Sequence, residues 1–406
     1  MHPNRGKRPF LHLFIFDMRR FILSFLFVLG MLPALHASAL DSVRISLLTC
    51  APGTEIYALF GHSAIRYENP SAKQDWVFNY GMFSFKEPNF VMRFLKGETD
   101  YQLGVIPYRY FEAEYAMRGS SVYQQVLNLT DAEKVKLIQL LEENYKPANR
   151  VYRYNYFYDN CTTRARDKIE ESIDGKVIYP EDDKGVTFRD IIREFTAGSA
   201  WNGFGIDLCL GAEADNRAGV RGQMFSPFYM KALANQAMIH RADTIVPLIK
   251  EEFLVVDVER EEEASFPLSP MVCALILLAI TCWVVGRGIR HGRIAWVWDA
   301  ILFGFQGVGG IIIGFLFFFS IHPTVGSNWM VVMFNPIPLF YLPWMIYKAI
   351  KGRKDAYHWI NAICLTSFMI IMPFLHQKFN PTVLPLALSL WLTSLGHLYI
   401  YKKRHS

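Results

Sequence analysis

The sequence predicts an exported α+β domain over residues 40–250, followed by an all-α bundle of five transmembrane helices over residues 268–401. The 406-residue chain is 52% hydrophobic and 19% charged, which is too apolar for a disordered chain or a uniformly soluble protein. The excess of hydrophobic residues lies in the C-terminal third and in one run near the N-terminus, whereas residues 40–265 have an ordinary globular composition. We therefore expect one extramembrane domain, joined to the bundle by a linker at residues 251–267.

The charge and cysteine content exclude several classes of protein. A formal net charge of +5, scattered along the chain, is too small for a nucleic-acid surface, so no nucleic-acid partner is expected. Six cysteines are too few for a disulfide scaffold of this size. No group of His, Cys or carboxylates has metal-ligand spacing and no glycine-rich phosphate loop follows a strand, so we predict neither a metal nor a cofactor.

Residues 1–39 have the pattern of a secretory signal peptide. A pair of arginines precedes an apolar run at residues 21–35, and the small-residue sequence Ala37-Ser38-Ala39 follows it. Met18 stands directly before the arginines and is a second possible start of translation. An uncleaved anchor helix is the alternative interpretation, and either one exports the domain that follows.

Five apolar segments of the C-terminal third are long enough to span a membrane, which takes about 20 residues. They are residues 268–285, 294–320, 331–350, 358–375 and 384–401. The connections after the first, third and fifth segments are rich in Lys and Arg, whereas the two opposite loops carry only Lys378. Because basic loops stay in the cytoplasm, residues 40–265 are predicted to lie outside, in agreement with the signal peptide.

Polar residues interrupt the apolar pattern around the start of the third segment. The loop at residues 321–330 contains His322, and two prolines follow at Pro336 and Pro338. Polar residues at the membrane rim are candidates for function. Two interpretations stay open: an interfacial belt with a proline-kinked helix, or a headgroup-binding rim below the exported domain that includes His322.

Alternating apolar residues predict a β-hairpin in the exported domain. The alternating segments are residues 43–48, 63–67 and 76–80. A turn sequence centred near residue 71 separates the last two segments. Antiparallel pairing about that centre brings His62 opposite Asn79 or Tyr80, and it brings Arg66 near Asp75.

Cys161 is predicted to open a helix. Residues 130–145 have the capping-box start of an earlier helix, and residues 151–158 form a short β-like run with alternating tyrosines. Asp159 or Asn160 then caps the helix that begins at Cys161. In this first turn the unpaired amides and the positive end of the helix dipole favour a thiolate, and the same amides could bind an oxyanion.

Cys161, His62 and Asn79 have the residue types of a thiol catalytic site. The cysteine needs an imidazole to take its proton, and the imidazole needs a third group to orient it. A structural histidine and a buried, inert cysteine are the alternative interpretation. Arg66 and Arg164 near this centre either contact a phosphate or are solvated surface charges.

Two further exported cysteines, Cys50 and Cys209, are left after Cys161 is set aside. The exported compartment permits disulfides, so a bridge between Cys50 and Cys209 is one prediction. The alternative prediction is that Cys50 and Cys209 are two buried free thiols.

Three motifs resemble the exported domain of Lnb-type lipoprotein N-acyltransferases. They are FGHSAIR at residues 60–66, NYG at residues 79–81 and DNCTT at residues 159–163. The resemblance covers about residues 43–230, and the five-span tail also fits the layout of the family. It implies a permuted NlpC/papain-like fold, the group that includes lecithin–retinol acyltransferase, with His on a strand, a polar orienter on the next strand and Cys opening a helix. Relatives in the wider group often have a second His where this chain has Asn79.

The resemblance implies a membrane acyltransferase. It moves a fatty acyl chain from a phospholipid donor to the free α-amine of a diacylated lipoprotein, through an acyl-enzyme on Cys161 with His62 as base and Asn79 as orienter. The site lies on the periplasmic side of the bacterial inner membrane, in contact with membrane lipids. Candidate binding residues beside the motifs and at the membrane rim are Asn160, Arg66, Tyr80, Arg164 and His322.

Two other functions stay open from the sequence. The first is a membrane-tethered cysteine peptidase or amidase acting on cell-wall peptides, which is another common use of the fold but needs one anchor rather than five spans. The second is a non-enzymatic membrane assembly or sensor protein, in which His62 and Cys161 are structural.

Overall fold

The computed structural model describes residues 42–84, 86, 88–181, 185–259 and 266–405. Over this part of the chain a sheet-rich domain is followed by a region of apolar helices, so the predicted α+β domain with an all-α bundle is confirmed. The predicted signal peptide and the possible start at Met18 fall outside the described residues.

The exported domain is organised around an antiparallel sheet. Its strands are β1 (Arg44–Cys50), β2 (His62–Asn69), β3 (Gln74–Met82), β4 (Asp100–Pro107), β5 (Val122–Leu127), β6 (Val151–Arg153), β7 (Lys176–Ile178), β8 (Met238–His240), β9 (Ile245–Pro247) and β10 (Ile249–Val256). Seven of these strands form one sheet in the order β10-β5-β1-β2-β3-β4-β6, and β7, β8 and β9 form a small second sheet.

Helices cover both faces of the large sheet. They are α1 (Phe90–Lys96), α2 (Tyr108–Met117), α3 (Asp131–Tyr145), α4 (Cys161–Ser172), α5 (Phe188–Thr196), α6 (Ala200–Cys209), α7 (Gly219–Gln223) and α8 (Pro227–Gln236). Leu47 and Ile65 pack with α3 and α4 on one face, and Leu48 and Ala64 pack with α2 on the other. Successive strand residues point to opposite faces, so β1 and β2 contribute to both layers.

The predicted hairpin is confirmed, but its register is shifted, because the observed pairing, continued along the strands, places His62 opposite Gly81 rather than Asn79 or Tyr80. Ile65 pairs with Phe78 and Asn69 pairs with Gln74, which centres the turn between residues 71 and 72. The β-like run predicted at 151–158 is shorter than expected, because only β6 is a strand. An isolated bridge between residues 155 and 159 then turns the chain toward α4.

The predicted linker at residues 251–267 is wrong in its first part. Residues of β10 pair with β5, so the chain up to Val256 belongs to the large sheet as its edge strand. The acidic side chains of Glu251 and Glu252 are exposed, as is typical of the charged residues that protect a sheet edge. Their charge obscured the strand in the sequence.

Five helical segments are long and apolar enough to cross a membrane, as predicted. The helices are α9 (Pro270–His291), α10 (Trp296–Phe319), α11 (Met330–Met333), α12 (Ile337–Lys351), α13 (Ala356–Ile371) and α14 (Val383–His405). The third span combines α11 and α12, which are separated at the predicted proline interruption beside Pro336. Proline lacks the amide hydrogen that would continue the helical ladder.

The exported domain contacts the end of the bundle whose loops are poor in Lys and Arg. Asn328 Nδ2 donates to the carbonyl of Leu208 at 2.7 Å, and Gln377 Nε2 donates to the carbonyl of Leu210 at 3.2 Å. Both donors lie in the loops predicted to be outside the membrane. The domain and these loops therefore share one side, as the distribution of basic residues predicted.

A buried ionic network holds the segment that contacts the bundle. Arg189 is fully buried and its guanidinium donates to carboxylate oxygens of Asp207 and Asp215. Asp215 also accepts a hydrogen bond of 3.0 Å from the backbone N–H of Lys378 in a bundle loop. Because a buried charge needs partners, this network fixes the exported domain and the loop together.

Candidate active site

Asn160 caps the helix that begins with Cys161. Its side-chain oxygen accepts hydrogen bonds of 2.9 Å from the backbone N–H groups of Thr162 and Thr163, and the Thr163 hydroxyl accepts from the Asn160 N–H. This is the capping arrangement that the sequence predicted. It places Cys161 in the first turn, where the side chain is 9% exposed.

The Asn160 side chain is a structural group, which corrects its assignment as a binding residue. Its Nδ2 donates to the carbonyls of Tyr156 at 2.8 Å and Phe225 at 2.9 Å. With both donors and both acceptor positions used, the amide has no hydrogen-bonding capacity left for a substrate. Asn160 instead fixes the start of α4 against two neighbouring segments.

His62 and Asn79 meet across the hairpin, as predicted. His62 Nε2 and Asn79 Oδ1 are 2.6 Å apart. Since the amide oxygen only accepts, Nε2 carries the proton and Nδ1 is the nitrogen left for the thiol. The imidazole of His62 and the side chain of Cys161 both lie beside Gly81, and each shifts the pKa of the other. The three residues thus form the series that a thiol nucleophile requires.

The surroundings of Cys161 favour its thiolate. Burial alone would raise the pKa of Cys161, but the charge of His62, its hydrogen bond and the backbone N–H of Ser63 lower the pKa to about 7. Burial acts to lower the pKa of His62, yet the Cys161 thiolate and the two hydrogen bonds raise it. Each group therefore stabilises the charged form of the other.

A hydroxyl contact joins the cysteine helix to the histidine strand. Thr162 Oγ1 donates to Ser63 Oγ at 3.1 Å, and both side chains are fully buried. Ser63 follows His62 in β2, and Thr162 follows Cys161 in α4. The contact therefore links the strand of His62 to the helix of Cys161.

The structure corrects the prediction that several amides of the helix start bind an oxyanion. The N–H groups of Thr162 and Thr163 are used by the Asn160 cap. The N–H of Cys161 has no hydrogen-bond partner among the described residues. It is therefore the amide of this turn that is left to stabilise a developing oxyanion.

Gly81 opens space beside the thiol. Its φ of +81° lies in the left-handed region, which favours glycine. A Cβ atom at this position would be 3.7 Å from Cys161 Cβ and 3.9 Å from His62 Cε1. A methyl group here would be in van der Waals contact with both residues.

Tyr115 covers the face of His62 and was missed by the sequence reasoning. The Tyr115 ring is parallel to the imidazole within 9°, with the ring centroids 6.4 Å apart. It packs in one hydrophobic cluster with the buried thiol of Cys50, and burial raises the pKa of both groups. Tyr115 lies on α2, far from the three motifs in sequence, so no local pattern indicated this contact.

Tyrosine side chains surround the thiol. Tyr101 and Tyr152 belong to the same buried cluster as Cys161, and Tyr154 packs against that cluster. The hydroxyl of Tyr156 is buried and has no hydrogen-bond partner among the described residues. Burial and then the Cys161 thiolate raise the pKa of Tyr101 to about 12, so its hydroxyl stays protonated. The alternating tyrosines were visible in the sequence, but no role followed from them.

Two predicted binding residues are part of the core. Arg66 donates to Asp75 at 2.9 and 2.8 Å and to Gln124 at 2.7 Å, so its guanidinium is engaged within the protein rather than by a phosphate. Tyr80 is fully buried and donates to Asn144 at 2.9 Å. Its burial corrects the prediction that it contacts a substrate. The predicted proximity of Arg66 and Asp75 is confirmed.

Arg164 and His322 lie outside the series formed by Asn79, His62 and Cys161. Arg164 pairs with Asp159 at 2.6 and 2.8 Å and lies 3.6 Å above the centre of the Tyr152 ring. His322 is in the outer loop and its Nε2 is 2.6 Å from the carbonyl oxygen of Phe94 in α1. A binding role for either residue stays a prediction.

The predicted disulfide between Cys50 and Cys209 is wrong, because both are free thiols. Cys50 lies in β1 and packs with the residues under α2. Cys209 ends α6 and packs against the core of the bundle. The two cysteines therefore belong to different hydrophobic clusters, which amino-acid type alone could not indicate.

Two family models match the chain. Residues 33–194 match the model described as the Lnb N-terminal periplasmic domain, and residues 261–404 match the model described as the Lnb transmembrane domain. The first match contains His62, Asn79 and Cys161, and the second contains the apolar helices of the bundle. No curated protein and no solved structure matches the chain significantly.

Proposed function

Because the chain belongs to the Lnb family of lipoprotein N-acyltransferases, we propose that it transfers a fatty acyl chain from a phospholipid to a lipoprotein through a thioester on Cys161. The acceptor is the free α-amine of the N-terminal diacylglyceryl-cysteine. The observation that carries this proposal is the placement of Cys161 at the start of α4 beside His62, whose imidazole is hydrogen-bonded to Asn79.

The first half-reaction forms the thioester. The Cys161 thiolate attacks the ester carbonyl of the phospholipid, and His62 Nδ1 holds the proton taken from the thiol. The N–H of Cys161 donates to the oxyanion of the tetrahedral intermediate. When the ester C–O bond breaks, His62 gives its proton to the glycerol oxygen, and a lysophospholipid leaves.

The second half-reaction moves the chain to the acceptor. The lipoprotein amine attacks the thioester carbonyl, and His62 takes the proton that the nitrogen loses. The C–S bond breaks, the amide is formed and the thiolate of Cys161 is restored. Asn79 positions the imidazole by accepting from Nε2, so that Nδ1 faces the sulfur in both half-reactions.

The membrane bundle suits two substrates that reside in a bilayer. The exported domain contacts the outer ends of the spans, and the charge-poor loops on that side support a periplasmic position for residues 40–265. A hydrolase of cell-wall peptides would need only one anchor. The five spans therefore favour lipid substrates over soluble ones.

Replacement of the nucleophile tests the function in cells. In a strain that lacks any other lipoprotein N-acyltransferase, wild-type protein should yield N-acylated lipoproteins, and Cys161→Ala should leave their α-amines free. Cys282→Ala, which changes an exposed cysteine of the bundle, is the matched control and should behave as wild type. N-acylated lipoproteins in the Cys161→Ala strain would refute the proposal.

A further inference from the structure

The short helix α1 exposes an apolar surface to its surroundings. Val91 is 70% exposed, Met92 is 49% exposed and Phe94 is 46% exposed. No residue of α1 is buried, although its sequence is mostly apolar. A contiguous apolar surface of this kind marks an interaction site.

This helix is fixed to the outer end of the membrane span α10. The N–H of Ile321 donates to the carbonyl of Lys96 at 2.9 Å, and His322 contacts the carbonyl of Phe94. Gly97 follows α1 with a φ of +75°, and a Cβ atom there would lie 2.9 Å from the backbone nitrogen of His322. The close backbone contact places α1 where α10 leaves the membrane.

The exposed surface of α1 adjoins the lipid-facing surface of the bundle. Phe318 and Phe319, in the last turn of α10, are 69% and 66% exposed, and Ile321 is 63% exposed. Such residues at the end of a span face lipid, because no other helix of the described chain covers them. The continuity of the two surfaces identifies the occupant next to α1 as the outer leaflet.

Aromatic rings continue from α1 into the exported domain. We define the aromatic track as Phe94, Phe90, Phe83, Tyr101 and Tyr154. Successive ring centroids along the track are separated by 6.2, 5.7, 4.9 and 4.2 Å. Each separation is within the range of direct aromatic contact, so the rings form one continuous surface.

The aromatic track ends beside the nucleophile. Tyr101 pairs with Tyr152 across β4 and β6, and the Tyr152 hydroxyl and Cys161 Cβ both lie within 4 Å of the Cβ position of Gly81. The acyl chain of one leaflet spans about 15 Å, half the thickness of the hydrocarbon core. Four ring-to-ring steps of 4.2 to 6.2 Å cover a comparable length.

We propose that the aromatic track binds the acyl chain of the donor phospholipid between the outer leaflet and Cys161. The inference rests on the proposed function, and it identifies the route by which a bilayer lipid reaches a thiol in the exported domain. As the chain lies along the rings, its ester carbonyl meets the sulfur. After the lysophospholipid leaves, the chain stays on the track as the thioester. The rings bind and position the chain and take no part in bond making.

Donors of two chain lengths test this route in the full-length protein. Phe90→Ala and Phe94→Ser are compared with wild type after incubation either with vesicles of a sixteen-carbon phosphatidylethanolamine or with dissolved dihexanoyl phosphatidylethanolamine. Intact mass, without acceptor, measures the thioester. We expect each variant to lose about tenfold in the rate of acylation from vesicles, because a ring contact with the chain is removed. Acylation by the six-carbon donor should change less than twofold.

Phe253→Ser is the matched control, because Phe253 is 43% exposed on β10 at the opposite edge of the sheet. It should match wild type with both donors. The rate of Cys161 alkylation by iodoacetamide, unchanged in every variant, verifies an intact site. Three results in Phe90→Ala and Phe94→Ser would overturn the proposed role of the aromatic track. They are an equal loss of acylation with both donors, a lower rate of Cys161 alkylation, or an unchanged rate of acylation from vesicles. A wild-type protein acylated by neither donor would instead refute the proposed function itself.

Discussion

The exported domain and the membrane bundle each contain a histidine cluster, and its histidine is half-buried in the domain whereas both histidines are buried in the bundle. In the domain, His62 lies between Asn79 and Cys161. In the bundle, His397 Nε2 is 2.8 Å from Asp299 Oδ2, and the His397 ring stacks on His358 with centroids 3.7 Å apart. Both clusters contain hydrogen-bonded side chains in apolar surroundings. Their functions therefore depend on the neighbouring groups and on the position of each cluster in the protein.

The difference between the two clusters is their position and their partners. The domain cluster contains a thiol, and Gly81 leaves space beside it. The bundle cluster contains a hydroxyl instead of a thiol, because Ser394 Oγ lies 3.4 Å from His358 Nδ1. It joins α10, α13 and α14 at the end of the bundle that carries the basic residues. That end is about one membrane thickness, ~30 Å, from the exported domain. A polar pair within a membrane span is often functional, but here its location indicates helix association.

The largest effect should come from His62→Ala. Loss of the base and of its positive charge should slow iodoacetamide alkylation of Cys161 at pH 7 by about 10²-fold or more. Since the thiolate reacts, the rate rises as pH passes the pKa of Cys161, which is about 7 in the wild type. In the variant this midpoint should move upward. His240→Ala is the control, because His240 is an exposed histidine on β8. An unchanged midpoint in His62→Ala would show that the imidazole does not influence the ionisation of the Cys161 thiol.

A smaller loss is expected for Asn79→Ala, because the imidazole stays but its orientation is no longer fixed. Thioester formation should fall by about tenfold. Asn79→Asp keeps an acceptor for Nε2 and should retain more activity than the alanine variant. Equal rates for the alanine variant and wild type in single-turnover kinetics would show that Asn79 does not position His62.

Gly81→Ala tests the open space beside the sulfur. An alanine there should lower thioester formation by about tenfold, because a misplaced carbonyl loses its reactive geometry. Gly119→Ala is the matched control, since Gly119 has a φ of +61° and a Cβ there would meet no atom within 4 Å, so this variant carries the strain without the contact. Comparable losses of activity in both glycine variants would show that backbone strain, and not contact with the thiol, causes the slower thioester formation in Gly81→Ala.

The smallest effect on chemistry should follow Asp299→Asn. The substitution weakens the buried pair with His397 and should lower stability by about 1 kcal/mol or more, measured as thermal unfolding in detergent. Thioester formation per folded molecule should stay within about twofold of wild type. A loss of thioester formation comparable to that of His62→Ala would show that the bundle cluster takes part in the reaction and is not only structural.

Features that depend on neighbouring residues could be predicted from the sequence. The hairpin turn predicted that β2 and β3 pair and that His62 lies close to Asn79, although the exact register was shifted. The Asn160 cap followed from preferences at helix starts, and it placed Cys161 in the first turn. The spans followed from their length and apolar composition.

Features that depend on distant segments could not be predicted in this way. Tyr115 reaches His62 from another helix, and Asn160 is held by the carbonyl of Phe225. Arg66 was expected near a phosphate because its charge was visible, whereas its partner Gln124 lies two strands away in the sheet. Side-chain types alone do not show which buried groups satisfy one another.

The central claim is that Cys161 carries the acyl chain. Intact mass of the purified protein after incubation with phospholipid, without acceptor, tests it most directly, with Cys161→Ala treated in parallel. We predict one added acyl mass on wild type, its removal by neutral hydroxylamine as expected of a thioester, and no added mass on the variant. An unmodified wild type, or an equal addition to Cys161→Ala, would contradict the account.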